Sequence, residues 1–400
     1  MNKTHRALGA WITGAALLLA ACGGSAAPAS TASSASPTAA SPATGSAAAK
    51  PASSAAAKPA GSAAATAGSW EDLVAAAKKE GTVNVALPAG LPGVGDVFAK
   101  AFGDQYGIKF QYTTEQTPQP RIEQEEAANK VTTDVLISGA SEFLTLYKEN
   151  YLAPLKPILL KPDVADPSKW ADGKLLWADK PQQYMLMTSE WVHIDLMVNS
   201  DIVKPDSITS WKDLLKPEFK DKMVAQQYAV GAGGATARML LENFGPDFVK
   251  SIYKDQNTLV TRDARQVVQE MANGSHPVGL AILPNQAETF IKQGIHLVRV
   301  FPPDGRLNVS GGSGMPKMVK NAPHPNAAAV FINWFSSQEG QTAYAKQSLE
   351  ASRRVDVNVP EVPDYTKPKP GYDYRNQYDE DYYVNTSPKM LKELEDLLGR

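Results

Sequence analysis

Cysteine is almost missing from this chain. Cys22 is the single one among 400 residues. An intramolecular disulfide is impossible, and cysteine-ligated zinc or iron–sulfur centres are excluded. Histidine is scarce as well: His5, His193, His276, His296 and His324 include no pair at metal-ligand spacing. No Gly-x-Ser-x-Gly elbow is present, and Cys22 is not a catalytic thiol. The carboxylates show no diagnostic pairing, which leaves a dyad open. There is no excess of either charge. With 40 basic and 42 acidic residues the formal net charge is −2, so the electrostatic footprint of a nucleic-acid binder is absent. The missing motifs favour binding over catalysis, and no enzyme activity is expected.

What is present begins with an address. Met1–Cys22 has a basic start, Lys3 and Arg6, then the apolar run Ala7–Ala20, too short to span a bilayer comfortably. Leu19-Ala20-Ala21-Cys22 resembles the bacterial lipobox, after which cysteine is lipidated; an ordinary cleaved signal is the alternative. Both export the protein. Gly23–Ser69 consists of Ala, Ser, Pro, Thr and Gly except for Lys50 and Lys58. It has almost nothing to bury and is expected to be disordered. As a coil it reaches roughly 40 Å, which suits a domain held off a membrane.

Beyond Trp70 short apolar runs alternate with amphipathic helical patterns, which predicts an α/β fold with mostly parallel sheets. Ligands on such sheets gather at the carboxyl ends of strands. Two loops there are candidates: Pro88-Ala89-Gly90-Leu91 and Ser138-Gly139-Ala140-Ser141. Ser141 either offers helix N-terminal amides to an anion or only caps its own helix. Tyr184–Asn199 is apolar, β-rich and free of turn signals, so it reads as a seam between two α/β units. Val309–Val319 reads as the return crossing. The second unit is then an insertion in the first, and the cleft between them is a natural small-molecule site.

The second unit holds Gln227–Thr236, read as a flexible Gly-rich loop before the helix Ala237–Phe244. Tyr228, Gly231, Gly233 and Gly234 are its candidate contacts, with flexible packing as the alternative. The stretch lacks the Gly-Lys-Ser/Thr of a P-loop. Arg262, between a strand and a helix start, is either a bidentate anion ligand or a solvated surface residue. The tail ends in a helix with Ser387 as its cap, Pro388 at its first position and Met390, Leu391, Leu394 and Leu397 on one face.

Six blocks in order carry a family resemblance: Gly81–Val85, Thr133–Leu136, Leu196–Asp201, Ser210–Lys222 (SWKDLLKPEFKDK), Ala322–Gln341 and Ser352–Asp356. From about Ser69 to Asp356 the chain resembles the extracellular solute-binding proteins of bacterial ABC importers, and specifically the ferric-ion-binding branch. The resemblance implies a two-lobe class II periplasmic-binding fold that closes about its crossings. The N-terminal pattern adds residues 1–21 as signal peptide and 22–69 as lipid-anchored linker. The resemblance implies 70–190 with 315–356 as the first lobe, 200–308 as the second, 191–199 and 309–314 as hinges, and 357–400 as tail. It places ligand contacts at Pro88–Leu91, Gly139–Ser141, Tyr228–Gly234, Arg262 and Asn285-Gln286, the last at the start of a later helix. It also implies an ABC permease as partner, a bilayer contact through lipidated Cys22 and a monomeric receptor.

One departure bears on cargo. Ferric-binding members carry adjacent tyrosines after the strand that corresponds to Val278–Leu283, where this chain reads Pro284-Asn285-Gln286-Ala287-Glu288-Thr289. Tyr382-Tyr383 lies in the tail and is set aside as remote. The expected cargo is therefore a small anionic or polar organic solute. Ferric iron on Tyr228, His193 and Glu190 is one alternative, and an exported enzyme or a sensing or docking protein on the same fold is another. No resident cofactor is expected.

Overall fold

The computed structural model describes residues 68–399 except 92, 116, 141–142, 369–373 and 378. Cys22, nearly all of the 22–69 segment and Ser141 lie outside the described residues. The first described element is a capped helix, Trp70–Glu80. Ser69 Oγ accepts from the Asp72 amide, and Gly81 ends the helix in the left-handed region.

Thirteen strands follow among the described residues: β1 (Thr82–Pro88), β2 (Lys109–Glu115), β3 (Val135–Ser138), β4 (Leu152–Ala153), β5 (Trp191–Val192), β6 (Ile194–Asn199), β7 (Met223–Gln226), β8 (Leu259–Thr261), β9 (Val278–Ile282), β10 (Leu297–Arg299), β11 (Leu307–Ser310), β12 (Met315–Val319) and β13 (Tyr374–Asn376). They form two five-stranded sheets, β2-β1-β3-β12-β4 and β10-β6-β9-β7-β8, and a small third sheet, β13-β11-β5. Both crossings meet in the third sheet, where Val309 pairs with Val192 and Ser310 with Trp191.

The two large sheets are mixed rather than mostly parallel. β1 pairs parallel with β2 and β3, while β12 runs antiparallel to β3 and β4. In the second sheet β7 pairs parallel with β8 and β9, while β6 runs antiparallel to β9 and β10. The antiparallel pairs involve the strands next to the crossings. A chain returning from the other sheet enters from the opposite end, which helix-by-helix alternation does not reveal.

Each large sheet has its own core. Phe98, Phe102, Phe110, Phe331, Trp334 and Phe335 interlock on the first, mostly edge-to-face or tilted. Such pairs add about 0.5–1.5 kcal/mol each beyond the area they bury. Leu196, Trp211, Met223, Leu240 and Leu280 centre the second core, and Met390 and Leu394 of the last helix join it. Trp211 sits in a 3₁₀ turn, Trp211–Leu215. A reciprocal cap between Ser210 and Asp213 starts it.

Two local expectations are corrected. The Gly-rich stretch is not a loop: a helix spans Gly231–Phe244, and Gly231, Gly233 and Gly234 form its first turn. A Cβ on Gly233 would lie 2.4 Å from the Gln227 carbonyl oxygen. Glycine is needed there for close approach, not for flexibility. Nor does Ser387 cap the last helix. A π turn, Tyr382–Thr386, runs straight into Ser387–Leu398, so no free helix start exists to cap.

Candidate functional site

The turn after β1, the end of β3, both crossings and two helix starts of the second sheet surround a cavity of about 270 Å³. Of the residues singled out in the sequence, Ala89, Gly90, Leu91, Gly139, Ala140, Gly231, Gly234 and Asn285 line it. Tyr228, Gly233, Arg262 and Gln286 do not. Tyr228 is buried in the second core with its hydroxyl on the Gly399 carbonyl. Gly233 is packed under the helix with its N–H on Gln226 Oε1, 3.1 Å away. Arg262 is exposed, and its carbonyl accepts from Gln226. Gln286 lies one residue past the lining, its amide turned back onto Leu283.

The polar lining was mostly missed: Trp191, Gln226, Arg238, Glu350 and Gln377 all reach the cavity, as does His193, named above only as a ligand for ferric iron. Tyr383, whose tail position had led to its exclusion, reaches it too. Correct placement of the helix start reveals Arg238. Gly231, Gly234, Ala235 and Arg238 stand at i, i+3, i+4 and i+7, one face of the helix Gly231–Phe244, and all four line the cavity.

Charge is unevenly compensated. Glu115 is clamped by Arg121, with Nη2 at 2.6 Å, and the resulting hydrogen bonds hold its carboxyl below the usual range. Glu350 is buried and accepts from Tyr344 Oη at 2.9 Å and from the Ser313 amide at 3.2 Å. Burial still pushes it up to about 7. Arg238 has no carboxylate within ion-pair distance among the described residues. Its Nε donates to Tyr382 Oη at 3.0 Å, and its two terminal nitrogens make no hydrogen bond among them.

Two aromatic side chains add unpaired nitrogens. Trp191 and His193 stack with centroids 4.7 Å apart and are 3% and 6% exposed. Trp191 Nε1 and His193 Nδ1 are buried without a hydrogen-bond partner among the described residues. Burial and the nearby arginines, Arg238 first, push His193 down to about 3, so it is a neutral imidazole at ordinary pH. Buried polar atoms are normally satisfied, so orphaned nitrogens in a cavity wall are groups that a ligand can complete. The helices Gly231–Phe244 and Pro284–Ile291 both begin at the cavity and present their positive ends to it.

Residues 97–353 match the family described as bacterial extracellular solute-binding protein. The chain belongs to that family. Solute binding is its function, and an exported setting follows from it. Among the described residues no helix is long and apolar enough to cross a membrane. A comparison with curated protein sequences finds no match. Solved structures of the same two-lobe fold include iron-bound HitA from Pseudomonas aeruginosa, with TM-score 0.61 and 18% identity over 79% of this chain and 99% of that one. AfuA from Actinobacillus pleuropneumoniae, with exogenous fructose-6-phosphate bound, gives 0.63 and 16% over 79% and 98%. The substrate-binding protein of an ABC transporter from Agrobacterium tumefaciens gives 0.61 and 16% over 78% and 95%. These solute-binding relatives are binding proteins, not enzymes.

The site residues suggested for ferric iron do not come together. His193 lines the cavity, but Tyr228 is tied to Gly399 and Glu190 to Arg353. Among the described residues no group of three or more His, Cys, Asp or Glu side chains is arranged to hold a metal ion.

Proposed function

We propose that this solute-binding protein captures a small anionic organic solute in the cavity between its two large sheets and delivers it to an ABC permease. It works as a monomer, tethered to the outer face of the membrane through lipidated Cys22. The observation that carries the ligand class is Arg238, whose guanidinium reaches the cavity with no carboxylate partner. Among the described residues every other charged side chain of the lining is a carboxylate, Glu115 or Glu350, that is either ion-paired or pushed toward neutrality by burial. A planar fork with two free nitrogens suits a carboxylate, phosphate or sulfonate. Trp191 Nε1 and the two helix starts add donors of the same sign of preference.

Within this fold AfuA holds fructose-6-phosphate and HitA holds iron. An unpaired arginine beside a neutral histidine favours cargo of the first kind, because a guanidinium repels a ferric cation. No resident cofactor and no catalytic role are assigned.

A thermal-shift panel on the purified chain tests the reading. It holds citrate, sugar phosphates, phosphonates, sulfonates, neutral sugars, polyamines and ferric iron. An anion at 100 times its dissociation constant adds about 2.7 kcal/mol, and a shift confined to anions is expected. A shift with ferric iron or neutral sugars alone would overturn it.

A further inference from the structure

The family match ends at residue 353, yet the chain beyond it returns to the cleft. β13 pairs parallel with β11, the second crossing strand, in register Leu307–Tyr374 to Val309–Asn376. Gln377 follows, 1% exposed, with its amide on the Val309 carbonyl and its side chain in the cavity wall. The π turn Tyr382–Thr386 then brings Tyr383 to the wall and Tyr382 to Arg238.

This segment is anchored on both sides of the cleft. Toward the first sheet, the Lys180 amide donates to Glu380 Oε2 at 2.7 Å, Lys180 Nζ pairs with Asp381 at 2.6 Å, and the Glu380 amide donates to the Ala178 carbonyl at 3.0 Å. Toward the second sheet, Met390 and Leu394 sit in the core. Tyr382 is itself fixed. It is 5% exposed, its amide donates to Asp379 Oδ1 at 2.7 Å, and the Arg375 guanidinium lies over its ring, 5.3 Å from the centroid. Arg375 in turn pairs with Glu242 of the helix that carries Arg238.

We propose that Tyr382 is the positioning residue of the solute site: by accepting from Nε it fixes the plane of the Arg238 guanidinium and leaves the Nη fork to the solute. The tail is thus a third component of the site, beyond the part of the chain that matches the family. An arginine on a helix otherwise samples many rotamers, and fixing one before binding removes an ordering cost from the affinity. Tyr382 does not touch the solute; it acts through Arg238. This inference rests on the cavity being the solute site.

The test uses the purified full chain with Tyr382→Phe, Arg238→Ala and the double variant. Citrate and fructose-6-phosphate are titrated by calorimetry, and melting temperature is recorded. For a probe that binds the wild type, Tyr382→Phe is expected to weaken binding about tenfold with an unchanged melting temperature. The double variant is expected to bind no more weakly than Arg238→Ala alone. A purely structural tyrosine would change the melt and add its effect to that of Arg238→Ala. Wild-type affinity in Tyr382→Phe, or additive losses, overturns the proposal and leaves the cleft reading intact. If neither probe binds the wild type, that failure counts against the anionic reading. Crystal structures of the wild type and Tyr382→Phe then decide the positioning role. A guanidinium displaced in the variant supports it; one that stays in place overturns it.

Discussion

Asn285 Nδ2 donates to the carbonyl oxygen of Gly90 at 2.8 Å. Gly90 lies in the turn after β1 of the first sheet, and Asn285 in the first turn of the helix after β9 of the second. Both line the cavity, so this hydrogen bond links the two large sheets beside it. One neutral hydrogen bond is worth about 1 kcal/mol, enough to tilt a balance between open and closed forms. Asn285→Ala should open the solute-free protein. Small-angle scattering should show a larger radius of gyration than for wild type, and bound solute should leave faster. An unchanged radius and release rate would mean that Asn285 does not latch the cleft.

Arg238 and Arg262 separate two readings of the anion site. Arg238→Ala should weaken a bound organic anion by one to two orders of magnitude, the loss typical of a charge-assisted contact. Arg262→Ala should leave affinity unchanged, because that side chain is exposed and does not line the cavity. Calorimetric titration of both variants checks this. An effect at Arg262 alone would reverse the assignment.

Gly233 tests the helix start. Its missing Cβ is 2.4 Å from the Gln227 carbonyl and 2.5 Å from that of Gln226. Backbone on that side cannot yield as a flexible side chain can. Gly233→Ala should therefore cost about 1–3 kcal/mol, as overpacking does, in a urea or thermal denaturation. A Gly-rich loop, by contrast, would tolerate or even gain from alanine.

Glu350 links the second crossing to pH. Its carboxyl lies at about 7 when folded because burial disfavours the charge, against about 4.5 unperturbed. The folded state thus holds a proton that the unfolded state has released between these values. Stability from this group is present below about pH 4.5 and is lost as pH rises through 7. His193, pushed down to about 3, acts in the opposite sense, since its unfolded form takes up a proton first as pH falls below 6.5. The test is therefore a difference: Glu350→Gln should remove the falling component between pH 4.5 and 7 seen when its unfolding free energy is compared with wild type. Parallel pH profiles would show that Glu350 is charged throughout.

The sequence spoke most clearly where local pattern meets framework. Ser69 caps and Gly81 ends the first helix, Gly107 ends the helix Val94–Tyr106, and Pro325 opens the helix Pro325–Ser336, all signals that local sequence carries. The family blocks turn out to be structural. Asp134 Oδ2 receives the Asn84 amide at 2.7 Å and faces His324 Nδ1 at 2.9 Å, so the Thr133–Leu136 and Ala322–Gln341 blocks hold each other. Arg354 is buried against Asp356 and Asp163. Such residues report a shared fold but stand apart from the cleft, which is why they say little about cargo.

The loops at strand ends, Ala89–Leu91 and Gly139–Ala140, were legible because sheet geometry alone brings them to the cleft. Arg238 was hidden by a misplaced helix start. Tyr382, Tyr383 and Gln377 were hidden because their place depends on β13 pairing with β11 across a long sequence separation, which no local pattern encodes. Trp191 and His193 were read as part of a seam, but their unpaired nitrogens appear only once the surrounding elements are packed.

The most direct measurement is a crystal structure of the protein with an organic anion that raises its melting temperature. The anion is predicted to sit between the two large sheets with an oxyanion within hydrogen-bond distance of Arg238 Nη1 or Nη2 and another acceptor at Trp191 Nε1. An anion bound elsewhere, or one in the cleft that leaves both Arg238 and Trp191 without a contact, would contradict the account.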